Sequence, residues 1–66
     1  MNVKIEREED GRWIAEIPEI PGALSYGESR WDAIARVETL ALRAVADRLE
    51  NGERAPELDE LFAVPA

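Results

Sequence analysis

Carboxylates are the side chains with which this chain could do chemistry. Fifteen of its 66 residues are Asp or Glu, and it contains no histidine and no cysteine. Clustered carboxylates can hold two divalent metal ions, an arrangement that stabilises both oxygens of a phosphoryl displacement. The acidic candidates for such a cluster are Glu6, Glu8, Asp10, Glu16, Glu19 and Asp32. Their spacing does not force three of them together, so a solvated acidic surface is the favoured interpretation and we expect no metal site.

Other catalytic arrangements find even less support in the residues. A serine nucleophile needs an adjacent base, and without histidine the base would have to be Lys4, the only lysine. A phosphate-binding loop needs clustered glycines followed by lysine, and neither Gly22 nor Gly27 precedes one. We therefore expect a protein that is not an enzyme, with no catalytic residues and no cofactor.

Size and charge indicate a protein that binds another protein. A chain of 66 residues forms at most one domain, here 1–66, and buries only about 60% of the surface that its unfolded chain exposes. With no disulfide available, oligomerisation is the expected supplement to a small core. The net charge of −7 disfavours direct binding to nucleic acid and favours a basic protein partner. No apolar run is long enough for a signal peptide or a membrane span, so we expect no membrane association and a cytoplasmic location.

Three strands and one helix must position these side chains. Apolar and polar residues alternate over 2–7 and 12–17, and Asp10-Gly11 between them is a hairpin signal. A third short strand is predicted over 23–26. Apolar residues at helical spacing fill 30–51, with Ser29 before them as N-cap and Gly52 after them as the C′ residue.

The stretch EIPEIPGALSYGES, residues 16–29, controls the backbone between the second strand and the helix. Pro18 ends the strand because proline lacks a donor for the sheet, and Pro21-Gly22 is typical of the centre of a type II turn. Gly27 follows the third strand, where glycine permits a sharp change in the direction of the backbone. The residues assigned to this structural motif are Trp13, Pro18, Pro21, Gly22, Gly27 and Ser29.

The predicted fold class is α+β, a three-stranded antiparallel sheet with one long helix packed on one face, plus a short C-terminal strand. The tail over 53–66 is compatible with one helical turn or with an edge strand over 61–64, and we favour the strand. Several apolar residues are left without a place in this small core. The predicted oligomer interface consists of Ile14, Trp31, Leu42 and Phe62.

The stretch GRWIAEIPEIPGALSYGESRWDAIARVETLALRAVADRLENGE, in the order β-β-β-α, resembles the HicB-like antitoxin family. The resemblance extends over residues 3–54. It is carried by Gly11, Trp13, Ala15-Glu16-Ile17-Pro18, Pro21-Gly22, Gly27, Ser29 and Asp32-Ala33.

This resemblance implies a partial ribonuclease-H-like fold and the binding and neutralisation of HicA, a small basic toxin that cleaves messenger RNA. Residues bordering the motif, Glu16, Glu19 and Tyr26, are then expected to contact the partner. Family members commonly carry a C-terminal DNA-binding domain, but only 14 residues follow Gly52, so operator binding is not expected. The alternative is a stand-alone homodimer or higher homo-oligomer with a regulatory or structural role and no toxin.

Overall fold

The protein is a three-stranded antiparallel sheet followed by one long helix. A computed structural model describes residues 1–53, 62, 63 and 65. The elements are β1 (Lys4–Arg7), β2 (Trp13–Glu16), β3 (Leu24–Gly27) and α1 (Arg30–Glu50), and the strand order in the sheet is β1-β2-β3. The predicted α+β fold class is confirmed for this part of the chain. Residues 61 and 64 of the predicted C-terminal strand lie outside the described ones, and 62 and 63 are not in a strand.

β1 and β2 form a hairpin around a three-residue loop. The Gly11 N–H donates to the Glu8 carbonyl at 3.0 Å, and the Glu8 N–H donates to the Arg12 carbonyl at 2.7 Å. Gly11 has φ of 90°, the left-handed conformation that a three-residue hairpin loop places at its last position. The hairpin turn predicted at Asp10-Gly11 is therefore confirmed. The register pairs Ile5 with Ala15.

Two consecutive turns connect β2 to β3, and both contain a proline. The Ile20 N–H donates to the Ile17 carbonyl at 3.0 Å, and the Ala23 N–H donates to the Ile20 carbonyl at 3.1 Å. Gly22 has φ of 86°, as the second central residue of a type II turn requires. Ile20, shared by the two turns, is only 2% exposed. The double-proline stretch thus reverses the chain and also inserts a side chain into the core.

Both ends of α1 are capped as the sequence predicted. At the N-terminus the Asp32 N–H donates to Ser29 Oγ at 3.0 Å, and the Glu28 N–H donates to Asp32 Oδ2 at 3.2 Å. At the C-terminus the Gly52 N–H donates to the Leu49 carbonyl and the Glu53 N–H to the Arg48 carbonyl. This second pair is a Schellman motif, with Gly52 at a φ of 74°.

The Asp32 carboxylate makes the start of the helix sensitive to acid. Arg36 Nε donates to Asp32 Oδ1 at 3.1 Å, and this bond, together with the bond from the Glu28 N–H, lowers the pKa of Asp32 below its ordinary value. A carboxyl whose pKa is lower in the folded state stabilises the fold above its unfolded-state pKa, and this stabilisation is lost as pH falls through the folded-state pKa.

The substitution Asp32→Asn should therefore lower the melting temperature at neutral pH, because the amide keeps an oxygen acceptor but loses the charge. The difference from wild type should shrink as pH falls from about 4 through the lowered folded-state pKa of Asp32, below which the wild-type carboxyl is also neutral. Thermal unfolding followed by circular dichroism across this pH range measures it. Glu38→Gln, which removes a carboxylate that lies outside this cap, is the matched control. A difference for Asp32→Asn that is the same at every pH would contradict the electrostatic explanation.

The core lies between the helix and one face of the sheet. Its buried members are Ala15, Ile17, Ile20, Ala23, Ala33, Val37, Ala41 and Val45, with Val3, Ile5, Trp13 and Ala44 packed against them at the edges. Four of the buried side chains come from α1 at four-residue spacing, Ala15 comes from β2, and Ile17, Ile20 and Ala23 come from the segment between β2 and β3. Trp13 is half-buried at the edge of this core.

Gly27 allows the helix to approach the end of β3. A Cβ atom at this position would lie 2.4 Å from the backbone nitrogen of Ala33 and 2.8 Å from its Cα. Gly27 is not among the glycines with positive φ. The glycine is therefore required because of the close approach of two backbones, and not because of the turn conformation that the sequence suggested.

Candidate functional site

The face of the sheet opposite α1 is the main accessible surface of the strands. We call it the open face, and define it by the side chains of Lys4, Glu6, Ile14, Glu16, Leu24 and Tyr26. The strand register places these side chains in two rows, Lys4–Glu16–Leu24 and Glu6–Ile14–Tyr26. Leu24 is 42% exposed and Tyr26 is exposed to a similar extent. The open face therefore presents apolar side chains on β2 and β3 beside carboxylates on β1 and β2.

Two of the three residues predicted to contact a partner lie on the open face. Glu16 is paired with Leu24, and Tyr26 is paired with Ile14, so Glu16 and Tyr26 are diagonal neighbours on adjacent strands. The third, Glu19, lies in the first turn after β2. The structure therefore brings Glu16 and Tyr26 together and places Glu19 beyond the end of the sheet.

Glu19 ties the double-proline turn to the N-terminal segment. The Asn2 N–H donates to Glu19 Oε2 at 2.9 Å. This bond is the main cause that lowers the pKa of Glu19 below its ordinary value, and the positive charges of the N-terminus and Lys4 contribute in the same direction. The Glu19 carboxylate therefore stays ionised at neutral pH and adds negative charge at this end of the sheet.

At the opposite end of the open face, Arg12 covers one side of Tyr26. The guanidinium carbon lies 4.6 Å from the centroid of the Tyr26 ring, a cation–π contact. Arg12 Nε also donates to Asp10 Oδ2 at 2.8 Å, and the Arg12 N–H donates to Asp10 Oδ1 at 3.0 Å. These two bonds lower the pKa of Asp10. The positive charge of Arg12 is thus offset by Asp10, while the Tyr26 ring is held in place.

Acidic side chains dominate the rim at this end. Glu8, Glu9 and Asp10 line a shallow pocket of about 410 Å³ together with Arg12 and Tyr26. Because Arg12 already binds Asp10 and covers one side of Tyr26, Glu8 and Glu9 are the carboxylates of this pocket that suit a positively charged side chain of a partner.

The residues predicted to form one oligomer interface lie on separate surfaces. Ile14 is half-buried in the centre of the open face, whereas Trp31 and Leu42 are exposed on α1, at 76% and 58%. Phe62 is exposed in the tail. Ile14 therefore belongs with the predicted partner residues in space, and the interface prediction as a whole stays a prediction.

Two residues of this surface, Leu24 on the open face and Arg12 at its end, were not assigned to the site from the sequence. Leu24 lies beside Glu16, and Arg12 contacts Tyr26. Leu24 could have been found from the two-residue period of β3, because it must share a face with Tyr26. The contact between Arg12 and Tyr26 had no such signal, since it joins residues on different strands across a turn.

Both outer strands of the sheet have free edges in the described part of the chain. Along the free edge of β3, a groove of about 430 Å³ runs between the strand and α1. Ser25 and Tyr26 form its floor on the strand side, and Arg36, Leu40 and Arg43 line it on the helix side. Tyr26 thus contributes both to this groove and to the open face.

Within residues 1–53 and the described tail positions, no three acidic side chains come close enough together to hold a metal ion. The described part of the chain also contains no helix that is both long and apolar enough to cross a membrane. Comparison of the chain with protein-family models, with curated proteins and with solved structures gives no significant match.

Proposed function

We propose that this chain is a HicB-like antitoxin module, which binds a small basic messenger-RNA-cleaving toxin of the HicA type through its open face and neutralises it. The observation that carries the proposal is the combination of Ile14, Leu24 and Tyr26 with surrounding carboxylates on one uncovered face. Aromatic and aliphatic side chains can anchor a partner, while the surrounding carboxylates attract a basic surface. The β-β-β-α order and the double-proline turns, which carry the resemblance to this family, support the same assignment.

The proposed mechanism is occlusion assisted by charge. A toxin that cleaves RNA must present a basic groove to the phosphates of its substrate. Glu6, Glu16 and the acidic β1–β2 loop offer carboxylates to the same groove. The bound antitoxin would then exclude RNA sterically and would satisfy the positive charges that RNA otherwise satisfies. A cytoplasmic location is part of this proposal, because messenger RNA is the toxin's substrate.

A binding experiment with the small basic protein encoded next to this chain's gene tests the proposal. The two proteins are co-purified, and their affinity is measured by calorimetry at low and at high salt. The wild-type chain should bind and should suppress RNA cleavage by the partner. Tyr26→Ala and Glu16→Arg should each weaken binding by about ten-fold or more, the effect of losing an interface anchor.

Glu53→Arg is the matched control, because it makes the same change of charge as Glu16→Arg at an exposed position outside the open face. It should change the affinity by less than about three-fold. Circular dichroism on each variant establishes that the fold is kept. If no complex forms at low salt, or if Glu53→Arg weakens binding as much as Glu16→Arg, the open face is not a toxin-binding surface.

A second candidate function is the stand-alone homo-oligomer with a regulatory or structural role. It is favoured by the exposed Trp31 and Leu42 side chains on α1, which a toxin bound to the open face would leave uncovered. A gene with no small basic neighbour would favour this candidate over the antitoxin.

A further inference from the structure

The backbone of β3 has hydrogen-bonding groups that point away from the sheet. The Ile17 N–H donates to the Ala23 carbonyl at 3.0 Å, which marks these two residues as a hydrogen-bonded pair between the segments that hold β2 and β3. Because such pairs alternate with non-hydrogen-bonded pairs, Ser25 is bonded to β2, whereas Leu24 and Tyr26 direct their backbone groups to the free edge. The Leu24 N–H already donates within the preceding turn. In the described part of the chain, the Tyr26 N–H and carbonyl and the Leu24 carbonyl are therefore open to a further strand.

The two outer strands of the sheet differ in charge. β1 consists of Lys-Ile-Glu-Arg, so three of its four side chains are charged. β3 consists of Leu-Ser-Tyr-Gly and carries no charge. Charged side chains on an outer strand discourage pairing with another chain, because pairing would remove them from water. The edge of β3 lacks this protection, and it is therefore the edge at which a further strand would add.

The groove beside this edge is lined by two arginines and by no carboxylate, although the chain carries 15 acidic and only 8 basic residues. Arg36 Nε is bonded to Asp32, so part of its charge is already offset. Arg43 lies two turns further along α1 and is exposed. Asp47 follows it one turn later, but among the described residues Arg43 makes no ion pair with it or with any other carboxylate. Arg43 is therefore the positive group that a ligand in this groove can pair with.

We propose that the edge of β3 accepts an extended segment of a partner protein, paired antiparallel with β3, whose carboxylate side chain binds Arg43. The antiparallel direction is that of both other pairs in this sheet, and it is slightly more stable per residue than the parallel one. Side chains of the added strand alternate between two sides. Those opposite Leu24 and Tyr26 lie on the open-face side, and the one between them points toward α1, as Ser25 does. The carboxylate belongs to the set that points toward α1.

α1 runs back beside β3, and this places Arg43 at the far end of the groove. Only residues 28 and 29 connect the two elements, and Gly27 contacts the start of the helix at Ala33. Arg43 is ten residues beyond Ala33, about 15 Å along the helix axis. Ala23 is four residues before Gly27, about 13 Å along the strand. The carboxylate is therefore expected on the peptide residue opposite Ala23.

The charge of the whole chain restricts the kind of segment that binds. A net charge of −7 repels a strongly acidic peptide. A segment with one carboxylate among uncharged strand-forming residues gains the contact with Arg43 and meets little of this repulsion. A strongly basic segment is disfavoured by Arg36 and Arg43 on the wall of the groove. The groove and the open face thus select opposite charges, and this inference does not rest on the proposed function.

Titration of the isotope-labelled full chain with a synthetic peptide, followed by nuclear magnetic resonance, tests the proposal. The probe is acetyl-Ser-Val-Thr-Val-Glu-Thr-amide, in which the valines would lie opposite Tyr26 and Leu24 and the glutamate opposite Ala23. The largest amide shifts should occur on β3 and at Arg43. We expect a dissociation constant of about 100 μM, because the contact is far smaller than a standard interface. Replacing the glutamate of the peptide by lysine should weaken binding about five-fold or more.

Methylation of single peptide nitrogens tests the strand pairing. The N–H of the first valine would donate to the Tyr26 carbonyl, so its methylation should weaken binding about ten-fold or more. The N–H of the threonine between the valines would point to solvent, so its methylation should be tolerated. The reverse pattern would overturn the antiparallel direction, and equal tolerance of both methyl groups would overturn strand addition.

Two pairs of substitutions in the chain test the groove. Arg43→Gln should weaken binding of the glutamate peptide about five-fold but should not weaken binding of the lysine peptide. Arg30→Gln, the same charge change at an exposed position outside the groove, is its matched control. Leu40→Glu places a carboxylate in the groove and should weaken binding of the glutamate peptide about ten-fold or more. Leu42→Glu, at an exposed leucine outside the groove, is the second control, and both controls should bind like the wild type. Circular dichroism establishes that each variant is folded.

Absence of amide shifts at millimolar peptide would overturn the proposal, because the edge would then be closed to a partner segment. Equal affinity for the glutamate and lysine peptides would overturn the role of Arg43. Self-association of the wild type that Leu40→Glu abolishes and Leu42→Glu does not would show that a second copy occupies the edge, which also overturns the proposal. These outcomes are independent of toxin binding, because the substituted residues lie outside the open face.

Discussion

Replacement of Gly27 by alanine is expected to lower the melting temperature of this domain by about 12–24 °C, which corresponds to a loss of about 3 kcal/mol. The added Cβ would lie 2.4 Å from the backbone nitrogen of Ala33 and 2.9 Å from the carbonyl carbon of Asp32. Neither atom can move away alone, because both belong to the first turn of α1. The helix would have to shift away from β3, and the packing of Ala33 and Val37 would be lost with it.

Thermal and urea unfolding followed by circular dichroism measure this effect. Gly52→Ala is the matched control, because a Cβ at position 52 meets nothing within 4 Å and only the φ of 74° is unfavourable. Such backbone strain alone costs about 1–2 kcal/mol. Equal losses for the two variants would show that the close approach of β3 and α1 contributes nothing beyond conformational strain.

Replacement of Ile20 by alanine is the second large effect, with an expected loss of about 3 kcal/mol. The Ile20 side chain is 2% exposed, and its backbone takes part in both turns between β2 and β3. The two turn hydrogen bonds hold the loop backbone in place, so the loop cannot easily collapse into the cavity that alanine would leave. The full cost of the cavity should therefore appear in the free energy of unfolding, measured in urea.

Leu24→Ala is the comparison for Ile20→Ala. Leu24 lies only four residues later but is 42% exposed on the open face, so its truncation should cost less than about 1 kcal/mol. If Ile20→Ala proved equally mild, the double-proline loop would not be an anchor of the core. The resemblance of that stretch to a family motif would then have to be explained by binding instead of by folding.

Local structure in this chain was largely predictable. The hairpin at Asp10-Gly11, the turn at Pro21-Gly22, the cap at Ser29 and the end of α1 at Gly52 all appeared where the sequence placed them. Each depends on a backbone preference or on a hydrogen bond between residues at most a few positions apart. The ion pair between Asp32 and Arg36, which lie four residues apart on α1, is a local contact of the same kind.

The candidate site was predictable only in part. Glu16 and Tyr26, which border the double-proline motif, lie on the same face of the sheet, and their contact with a partner stays a prediction. Leu24 was missed although the two-residue period of β3 places it on the same face as Tyr26, whereas the contact between Arg12 and Tyr26 depends on the register between strands. Ile14 was grouped with Trp31 and Leu42 on apolar character alone, although one lies on the sheet and the others on the helix.

The sequence by itself determined which segments of the chain become strands, turns and helix, because side-chain periodicity and the special backbones of glycine and proline act over a few residues. Only the tertiary structure decided which apolar residues are buried and which remain on the surface. Ile20 is enclosed because two turns fold it under the helix, and Gly27 is required because α1 crosses β3 at backbone contact. Leu42 stays exposed because the sheet is wide enough to cover only one side of the helix. Burial depends on how the elements meet in space, and this information is not contained in any short stretch of the chain.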